Sequence, residues 1–120
     1  MTNYRQKIGD FGEKIAEQYL LRHGYKIIGT KQKIGYQEID IIANIKDIIV
    51  FIEVKTRTSD TLGPANEAVS SAKLKSLKTG INKYLNNNQD CFKNIRLDLV
   101  AIDICKQKKI AKISHYKDIM

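Results

Sequence analysis

Three residues in two short motifs are the part of this sequence with the clearest chemical content. Asp40 closes a Glu-Ile-Asp motif, and Glu53 and Lys55 flank the valine of a Glu-Val-Lys motif, with twelve residues between Asp40 and Glu53. The surrounding runs are rich in β-branched and aromatic residues, which predicts strands over Gln37–Ile45 and Ile48–Arg57. Alternation along a strand then places Glu53 and Lys55 on one face of the Ile48–Arg57 strand.

The turn between these strands sets how the two acidic side chains meet. A tight turn formed by the Lys and Asp at positions 46–47 pairs Ile45 with Ile48 and, in the same register, Asp40 with Glu53. Their Cβ atoms would then lie about 4.5–5.5 Å apart, where like charges destabilise a hairpin unless positive charge lies between them. Mg²⁺ fits such a site because it binds oxygen ligands and uses only one or two carboxylates; Mn²⁺ is a second candidate.

The chemistry expected of this set is phosphodiester hydrolysis. Lys55 can orient a water or stabilise developing negative charge, while a metal polarises the phosphate and activates water. The net charge of +8 favours polyanionic partners, nucleic acid ahead of an anionic membrane surface. The alternative is a surface hairpin and a solvated lysine-rich surface, and alternation and charge by themselves favour neither interpretation.

Two helices and five strands are predicted to position these residues, in the order α-β-β-β-α-β-β, as a mixed α/β layer. The helices cover Asn3–His23 and Pro64–Asn88, both with apolar residues at helical spacing, and Gly24 stands where the first helix should end. The apolar residues of the first helix are Ile8, Phe11, Ile15, Ala16, Tyr19 and Leu20. The strands are Tyr25–Thr30, Gln37–Ile45, Ile48–Arg57, Asn94–Cys105 and Lys109–His115. On these strands the faces Ile39-Ile41-Ala43 and Val50-Ile52-Val54 are wholly apolar and are predicted to lie in the core.

Length and composition predict one domain over residues 1–120, since domains most often have roughly 100–150 residues and no linker-like tract interrupts the chain. The two cysteines lack metal-site spacing, which favours reduced thiols. No signal-peptide core and no apolar run of roughly 18 residues is present. We therefore expect a cytoplasmic protein without a membrane partner.

The Asp-(x)n-Glu-x-Lys arrangement resembles the PD-(D/E)XK nuclease superfamily, which has the restriction-endonuclease-like fold. Nearly the whole chain, from Tyr4 to Ile104, is similar to the small bacterial YraN-type family of endonuclease-like proteins. One departure is Gln37, where that family usually has glycine before its Glu-Ile-Asp run. The matching blocks, in order, are Gly9–Glu13, Glu38–Ala43, Val50–Arg57, Ala68–Val69 before Lys73, Tyr84–Leu85 and Arg96–Val100. The resemblance implies a mixed sheet of about five strands with helices packed on it.

The resemblance also implies roles for individual residues. Asp40 and Glu53 would be metal ligands, with the backbone carbonyl of Val54 as a third, and Lys55 would be the catalytic lysine. Glu13, on the first helix, matches a carboxylate that related resolvase-like nucleases bring to the metal.

Three further residues are candidates for contact with nucleic acid. Lys73 lies on the helix that faces the hairpin in related folds, and Arg57 continues the third strand, so both could contact phosphate. Tyr36, next to the hairpin, is a candidate for base stacking. For Lys73 the competing interpretation is ordinary surface charge. His23 and His115 lack a second ligand at metal spacing and are predicted to be ordinary surface residues.

The function predicted on these grounds is a Mg²⁺-dependent endonuclease acting on DNA, with branched or otherwise structured DNA as a candidate substrate. Many nucleases of this fold act as dimers, which makes a homodimer one expectation. The first alternative is a catalytically silent nucleic-acid-binding module of the same fold. The second is a protein-interaction domain whose basic surface contacts an acidic partner.

Overall fold

A computed structural model describes residues 3–58, 69–87 and 94–120 of the chain. Within them the predicted element order, α-β-β-β-α-β-β, is confirmed. The elements are α1 (Tyr4–Arg22), β1 (Lys26–Ile34), β2 (Gln37–Ile45), β3 (Ile48–Thr58), α2 (Ser71–Asn87), β4 (Asn94–Cys105) and β5 (Ile110–Tyr116).

The strands form a mixed sheet in the order β1-β2-β3-β4-β5. The first three strands form an antiparallel meander, β4 lies parallel to β3, and β5 returns antiparallel to β4. A parallel neighbour cannot be reached through a tight turn, and α2 lies in the long connection from β3 to β4. This architecture, a five-stranded mixed sheet with two helices, is compatible with a restriction-endonuclease-like fold.

Helix α1 begins and ends as its sequence predicts. The side chain of Asn3 accepts a hydrogen bond from the backbone N–H of Gln6 at 2.8 Å, which caps the first turn. At the other end Gly24 has a φ of +87°, a conformation that glycine adopts without steric penalty. The predicted apolar stripe is wrong at Phe11, which is 53% exposed. The buried line is Gly12-Ala16-Leu20, and Phe11 projects roughly 100° away from Gly12 around the helix.

Helix α2 begins later than predicted. The hydroxyl of Ser70 accepts the backbone N–H of Lys73 at 3.1 Å, and the Ser70 carbonyl accepts that of Leu74 at 2.9 Å. Ser70 is thus the capping residue, and such serines favour the non-helical side of a helix start. The predicted helix is therefore wrong at Val69 and Ser70. Its first residues, 64–68, and its last, 88, lie outside the described residues.

Both faces of the sheet are apolar, and each is covered by one helix. On the face covered by α1 the buried cluster is Ala16, Leu20, Tyr25, Ile41, Ala43, Val50, Ile52, Val100 and Ile102. On the face covered by α2 it is Ile39, Ile42, Ile49, Phe51, Leu77, Ile81 and Leu97. Burial on both faces explains why the central strands read as near-continuous apolar runs.

The alternation of β2 changes phase at Asp40. Ile41 and Ala43 pack in the cluster beneath α1, as predicted, but Ile39 packs with Ile42 beneath α2. The prediction that Ile39 shares a face with Ile41 and Ala43 is therefore wrong. A regular strand would alternate without interruption, so the backbone around Asp40 departs from regular β geometry.

Two further observations concern the helices and the cysteines. Within the described parts of the chain, neither helix is long and apolar enough to cross a membrane. Cys105 carries a free thiol, and Cys91 lies outside the described residues.

Candidate active site

The β2–β3 hairpin has the predicted register. Ile45 pairs with Ile48 across the two-residue turn, and the pairing continues to Ile41 and Ile52. Lys46, in the turn, has a φ of +54°. The regular pairing ends at Ile41–Ile52, so the next step, the predicted direct pairing of Asp40 with Glu53, does not form.

At that step the Asp40 side chain bonds to the neighbouring strand. Its Oδ2 accepts the backbone N–H of Val54 at 2.8 Å. On the other side, the pairing of β1 with β2 passes from Thr30 to Gln32, and Lys31 between them has a φ of +49°. The sheet is thus irregular on both sides of Asp40, and the carboxylate fixes Val54 of β3 to β2.

A cleft of about 280 Å³ lies at this irregularity. Asp40, Glu53 and Lys55 all line it, so the structure brings the predicted set together. Glu13 lines the same cleft from α1, and the other lining residues are Gly9, Val54 and Thr56. The placement agrees with the sequence-based expectation, and the roles of these residues remain predictions.

Gly12 explains how α1 comes near enough to place Glu13 in the cleft. A Cβ added at Gly12 would lie 1.8 Å from Oγ1 of Thr56 on β3, closer than any real contact. Only glycine lets the helix backbone approach β3 this closely.

Glu53 is the least satisfied charged group of the cleft. Its side chain is only 14% exposed, and Oε1 lies 3.8 Å from Nζ of Lys73. Burial, followed by the negative charge of Asp40, raises the pKa of Glu53 from 4.5 to about 7 against the opposing effect of Lys73 and Lys55. Within the described part of the chain, Oε2 is buried and receives no hydrogen bond. An unpaired buried carboxylate oxygen costs free energy, which a cation at this position would remove.

The other two acids of the cleft are shifted in the same direction. Burial raises the pKa of Asp40 even though the Val54 N–H stabilises the carboxylate. Burial, and next the charge of Asp40, raise the pKa of Glu13 from 4.5 to about 6. Lys31 partly offsets this, with its Nζ 3.8 Å from Oε2 of Glu13 and 2.8 Å from Oδ1 of Asp10. The cleft therefore holds three acids in surroundings that disfavour their combined negative charge.

No ready-made metal cage exists among the residues that the structure describes: no three acidic, histidine or cysteine side chains converge as a metal-binding group. Glu13, Asp40 and Glu53 share the cleft without forming such a group. A Mg²⁺ site does not require one, because this ion is usually bound by one or two carboxylates together with waters and substrate phosphates.

The residues predicted to contact nucleic acid are distributed differently. Lys73 reaches the cleft through its contact with Glu53. Tyr36 is fully exposed in the turn between β1 and β2, and Arg57 is half-buried near the end of β3. Neither lines the cleft. Gln37, which stands where the YraN-type family usually has glycine, packs against α2. Its Cβ lies 3.1 Å from where a Cβ of Gly80 would stand.

A further acid, Asp98 on β4, was not singled out in the sequence. It is fully buried, and its Oδ1 accepts hydrogen bonds from Nε of Arg96 and from the backbone N–H of Asp118, both at 2.9 Å. Its Oδ2 accepts Nη2 of Arg96 at 2.8 Å and Nε2 of His115 at 2.7 Å. Burial opposes ionisation, but the hydrogen bonds from His115, Arg96 and Asp118 hold the pKa of Asp98 below its usual value.

His115 is the clearest error of the sequence-based predictions. Its side chain is 5% exposed and lies between Asp98 and the hydroxyl of Tyr19, 3.0 Å from Nδ1. The signal in the sequence was alternation on β4, where Arg96 and Asp98 share a strand face with the core residue Val100. An acid on a core face needs partners, and a histidine on the adjacent strand was available to supply one.

The chain is similar to known proteins over most of its length. A family model described as "Uncharacterised protein family UPF0102" matches residues 12–102. The chain belongs to the UPF0102 family. A UPF0102 protein of Flavobacterium psychrophilum is 38% identical over 92% of this chain and 91% of its own length. One of Alkaliphilus oremlandii is 37% identical over 94% of this chain and 97% of its own length. The predicted YraN-type family is confirmed at this level, and the UPF0102 match spans Glu13, Asp40, Glu53, Lys55 and Asp98.

Proposed function

We propose that this UPF0102 protein is a metal-dependent nuclease of the PD-(D/E)XK type that hydrolyses DNA phosphodiester bonds in the cleft of Asp40, Glu53 and Lys55. One observation carries the proposal. Two partly buried acids line the cleft where the β2–β3 pairing ends, and Oε2 of Glu53 is buried with no hydrogen-bond partner among the described residues. Structural acids are normally paired, so this arrangement favours a site completed by a ligand.

The donor set suits a hard divalent cation. Asp40 and Glu53 would hold Mg²⁺, with Mn²⁺ as a substitute, and the Val54 carbonyl and Glu13 are the remaining candidate ligands from the cleft. A bound cation supplies Lewis-acid polarisation of the phosphate and a more acidic bound water.

The protein's own groups divide the remaining work. The Val54 N–H holds Asp40 in one orientation, so that its position is fixed before substrate arrives. Lys55 is exposed at the cleft and can hold a water by hydrogen bonding or stabilise charge on the phosphate. The surplus of basic residues attracts a polyanion to this surface.

The test is DNA cleavage by the purified protein with Mg²⁺ or Mn²⁺ on branched, single-stranded and duplex substrates. We expect cleavage by the wild type, and a loss on the order of 10²–10⁴-fold in Asp40→Asn and in Lys55→Ala. Asp47→Asn, an exposed acid in the β2–β3 turn, is the matched control and should retain activity.

Three outcomes would count against the proposal in different ways. Full activity in Asp40→Asn or Lys55→Ala would show that the assigned site is wrong. Salt-dependent DNA binding without cleavage by any of these metals would support the silent binding module. Binding to an acidic protein that neither metal nor DNA affects would support the interaction domain.

A further inference from the structure

Helix α2 carries a concentration of positive charge. Its residues, Ser71–Asn87, include four exposed lysines and no acidic side chain. Lysines on a solvated helix face aid solubility, but mixed charges do this equally well. A helix of one charge sign instead produces a local field suited to a polyanion. The lysines are Lys73, Lys75, Lys78 and Lys83.

The two ends of this helix lie at two different features of the molecule. At its start, Nζ of Lys73 is 3.8 Å from Glu53 in the cleft. Near its end, Nζ of Lys83 lies beside Gly35 in the β1–β2 turn, 3.1 Å from where a Cβ of Gly35 would stand. Between them, Gly80 lets the helix pack against Gln37 of β2. The ten residues from Lys73 to Lys83 correspond to roughly 15 Å of helix.

The β1–β2 turn presents an aromatic ring to solvent near Lys83, at the end of α2 away from the cleft. Tyr36 is fully exposed, so packing does not account for the ring. The turn has two residues, with Gly35 at a φ of +63°, and Ile34 and Gln37 pair directly behind it. Hairpin turns of this length hold their residues in a defined position. Lys73 and Lys83 lie roughly 80° apart around the helix, whereas Lys75 and Lys78 lie on its other sides. Nζ of Lys83 lies at the turn that carries the ring. An exposed ring beside such a lysine is a combination by which proteins bind single-stranded nucleic acid, through stacking and phosphate contacts.

We propose that α2 and the β1–β2 turn form one binding track for a nucleic-acid strand. The strand backbone runs from the cleft past Lys73 to Lys83, and an unpaired base stacks on Tyr36. At the 3.4 Å spacing of a stacked strand, the track holds roughly four nucleotides between cleft and ring. That the track begins at the cleft rests on the proposed function. That α2 and the β1–β2 turn bind a nucleic-acid strand does not.

The track also specifies a class of substrate. A base within a duplex has both faces covered by its neighbours, and extracting it costs a few kcal/mol. A base in a single-stranded arm or at a junction is available to Tyr36 without that cost. The protein should therefore prefer DNA that joins a duplex to a single-stranded segment over uninterrupted duplex.

The test is equilibrium binding in EDTA, which separates the track from catalysis. Fluorescein-labelled single-stranded DNA, the same DNA as a duplex with a single-stranded arm, and uninterrupted duplex would be titrated and followed by anisotropy. Tyr36→Ala should weaken binding of the first two by about 5- to 100-fold, and Tyr36→Phe should retain it, because stacking requires only the ring. Lys83→Ala should lower the salt dependence of single-strand affinity by about 0.7 in the log–log slope.

Matched controls lie away from the track. Tyr4→Ala removes another exposed tyrosine, at the start of α1. Lys26→Ala removes an exposed lysine that pairs with Asn44, at the end of β2 next to the β2–β3 turn. Both should bind as the wild type does. As a direct probe, 2-aminopurine in the single-stranded arm should be quenched on binding by wild type and Tyr36→Phe, but not by Tyr36→Ala.

The contrary results are distinct from those that bear on catalysis. Wild-type affinity in Tyr36→Ala, equal affinity for uninterrupted duplex, or equally strong competition by polyglutamate would each overturn the track, whatever the cleavage assays show. Conversely, tight, Tyr36-dependent binding by a protein that cleaves no DNA would uphold the track and overturn the proposed nuclease.

Discussion

Asp98 and the pair Asp40–Glu53 are acids of one sheet, the first fully buried and the pair partly buried, and they differ in what surrounds them. Asp98 accepts four hydrogen bonds, three from the side chains of Arg96 and His115 and one from a backbone N–H. In the cleft, Asp40 accepts one backbone N–H from Val54, and Glu53 has a lysine at 3.8 Å and a buried oxygen without a partner in the described residues.

The pKa values of the two sites move in opposite directions for this reason. Burial opposes ionisation at both, but the partners of Asp98 outweigh it, whereas at Glu53 the nearby Asp40 adds to it. A satisfied acid joins elements: Asp98 links β4 to β5 and to the backbone at Asp118. An unsatisfied acid leaves capacity for a ligand. Burial of charge is therefore a poor indicator of function until its partners are counted.

The largest expected effect comes from breaking the satisfied site. Asp98→Asn leaves the Arg96 guanidinium without its buried counter-charge, and we expect the free energy of unfolding at pH 7 to fall by about 3–5 kcal/mol. Because the pKa of Asp98 is lowered in the folded state, its stabilisation is present above the unfolded pKa and is lost as pH falls through the folded one. Asp98→Asn should therefore lack the part of the fall in stability at low pH that comes from protonation of Asp98.

Urea unfolding from pH 3 to pH 8 would measure this effect, with the exposed turn residue Asp47→Asn as the control. A loss no larger than that of Asp47→Asn would show that the Asp98 network contributes little net stability.

The second expected effect is a gain in stability, and it comes from replacing Glu53 in the cleft. Glu53 has a folded-state pKa of about 7 against an ordinary 4.5, so the folded state binds more protons than the unfolded state between these values. Stability should therefore fall as pH rises through that interval. Glu53→Gln should remove the penalty and raise stability at pH 8 by roughly 3–4 kcal/mol, at about 1.4 kcal/mol per pKa unit, with little change at pH 4.

The same unfolding series measures this change, with Glu38→Gln as an exposed control. If Glu53→Gln destabilises the protein at pH 8, then the carboxylate is a structural partner like Asp98, and the contrast between the sites fails.

The smallest effect is that of the cation. A ligand that binds only the folded state at ten times its Kd stabilises it by about 1.4 kcal/mol. Mg²⁺ or Mn²⁺ should raise the Tm of the wild type and of Asp98→Asn, and leave that of Asp40→Asn unchanged. Thermal unfolding at constant ionic strength would detect it. Equal shifts in all three proteins would place the ion outside the cleft.

Local patterns gave the hairpin and the element order because the relevant interactions are local. The turn at Lys46 and the apolar runs of β2 and β3 are sufficient to fix the register from Ile45–Ile48 onward. The start of α2 was misplaced because apolar spacing ignores the capping hydroxyl of Ser70. Phe11 and Ile39 were misassigned because the face of an amphipathic element depends on what packs against it.

By itself, the sequence determined that two acids and a lysine would lie on adjacent strands of one hairpin, since the two-residue turn and the apolar runs fix the register as far as Ile41–Ile52. Tertiary structure alone decided their surroundings. The approach of Gly12 to Thr56 brings Glu13 to the cleft, and α2 brings Lys73 to Glu53. Contacts with His115 and Asp118, added to those of the neighbouring Arg96, likewise satisfy Asp98, whereas Oε2 of Glu53 has no hydrogen-bond partner among the described residues. Burial and hydrogen bonding depend on three-dimensional neighbours, and these are what separate a structural acid from a candidate catalytic one.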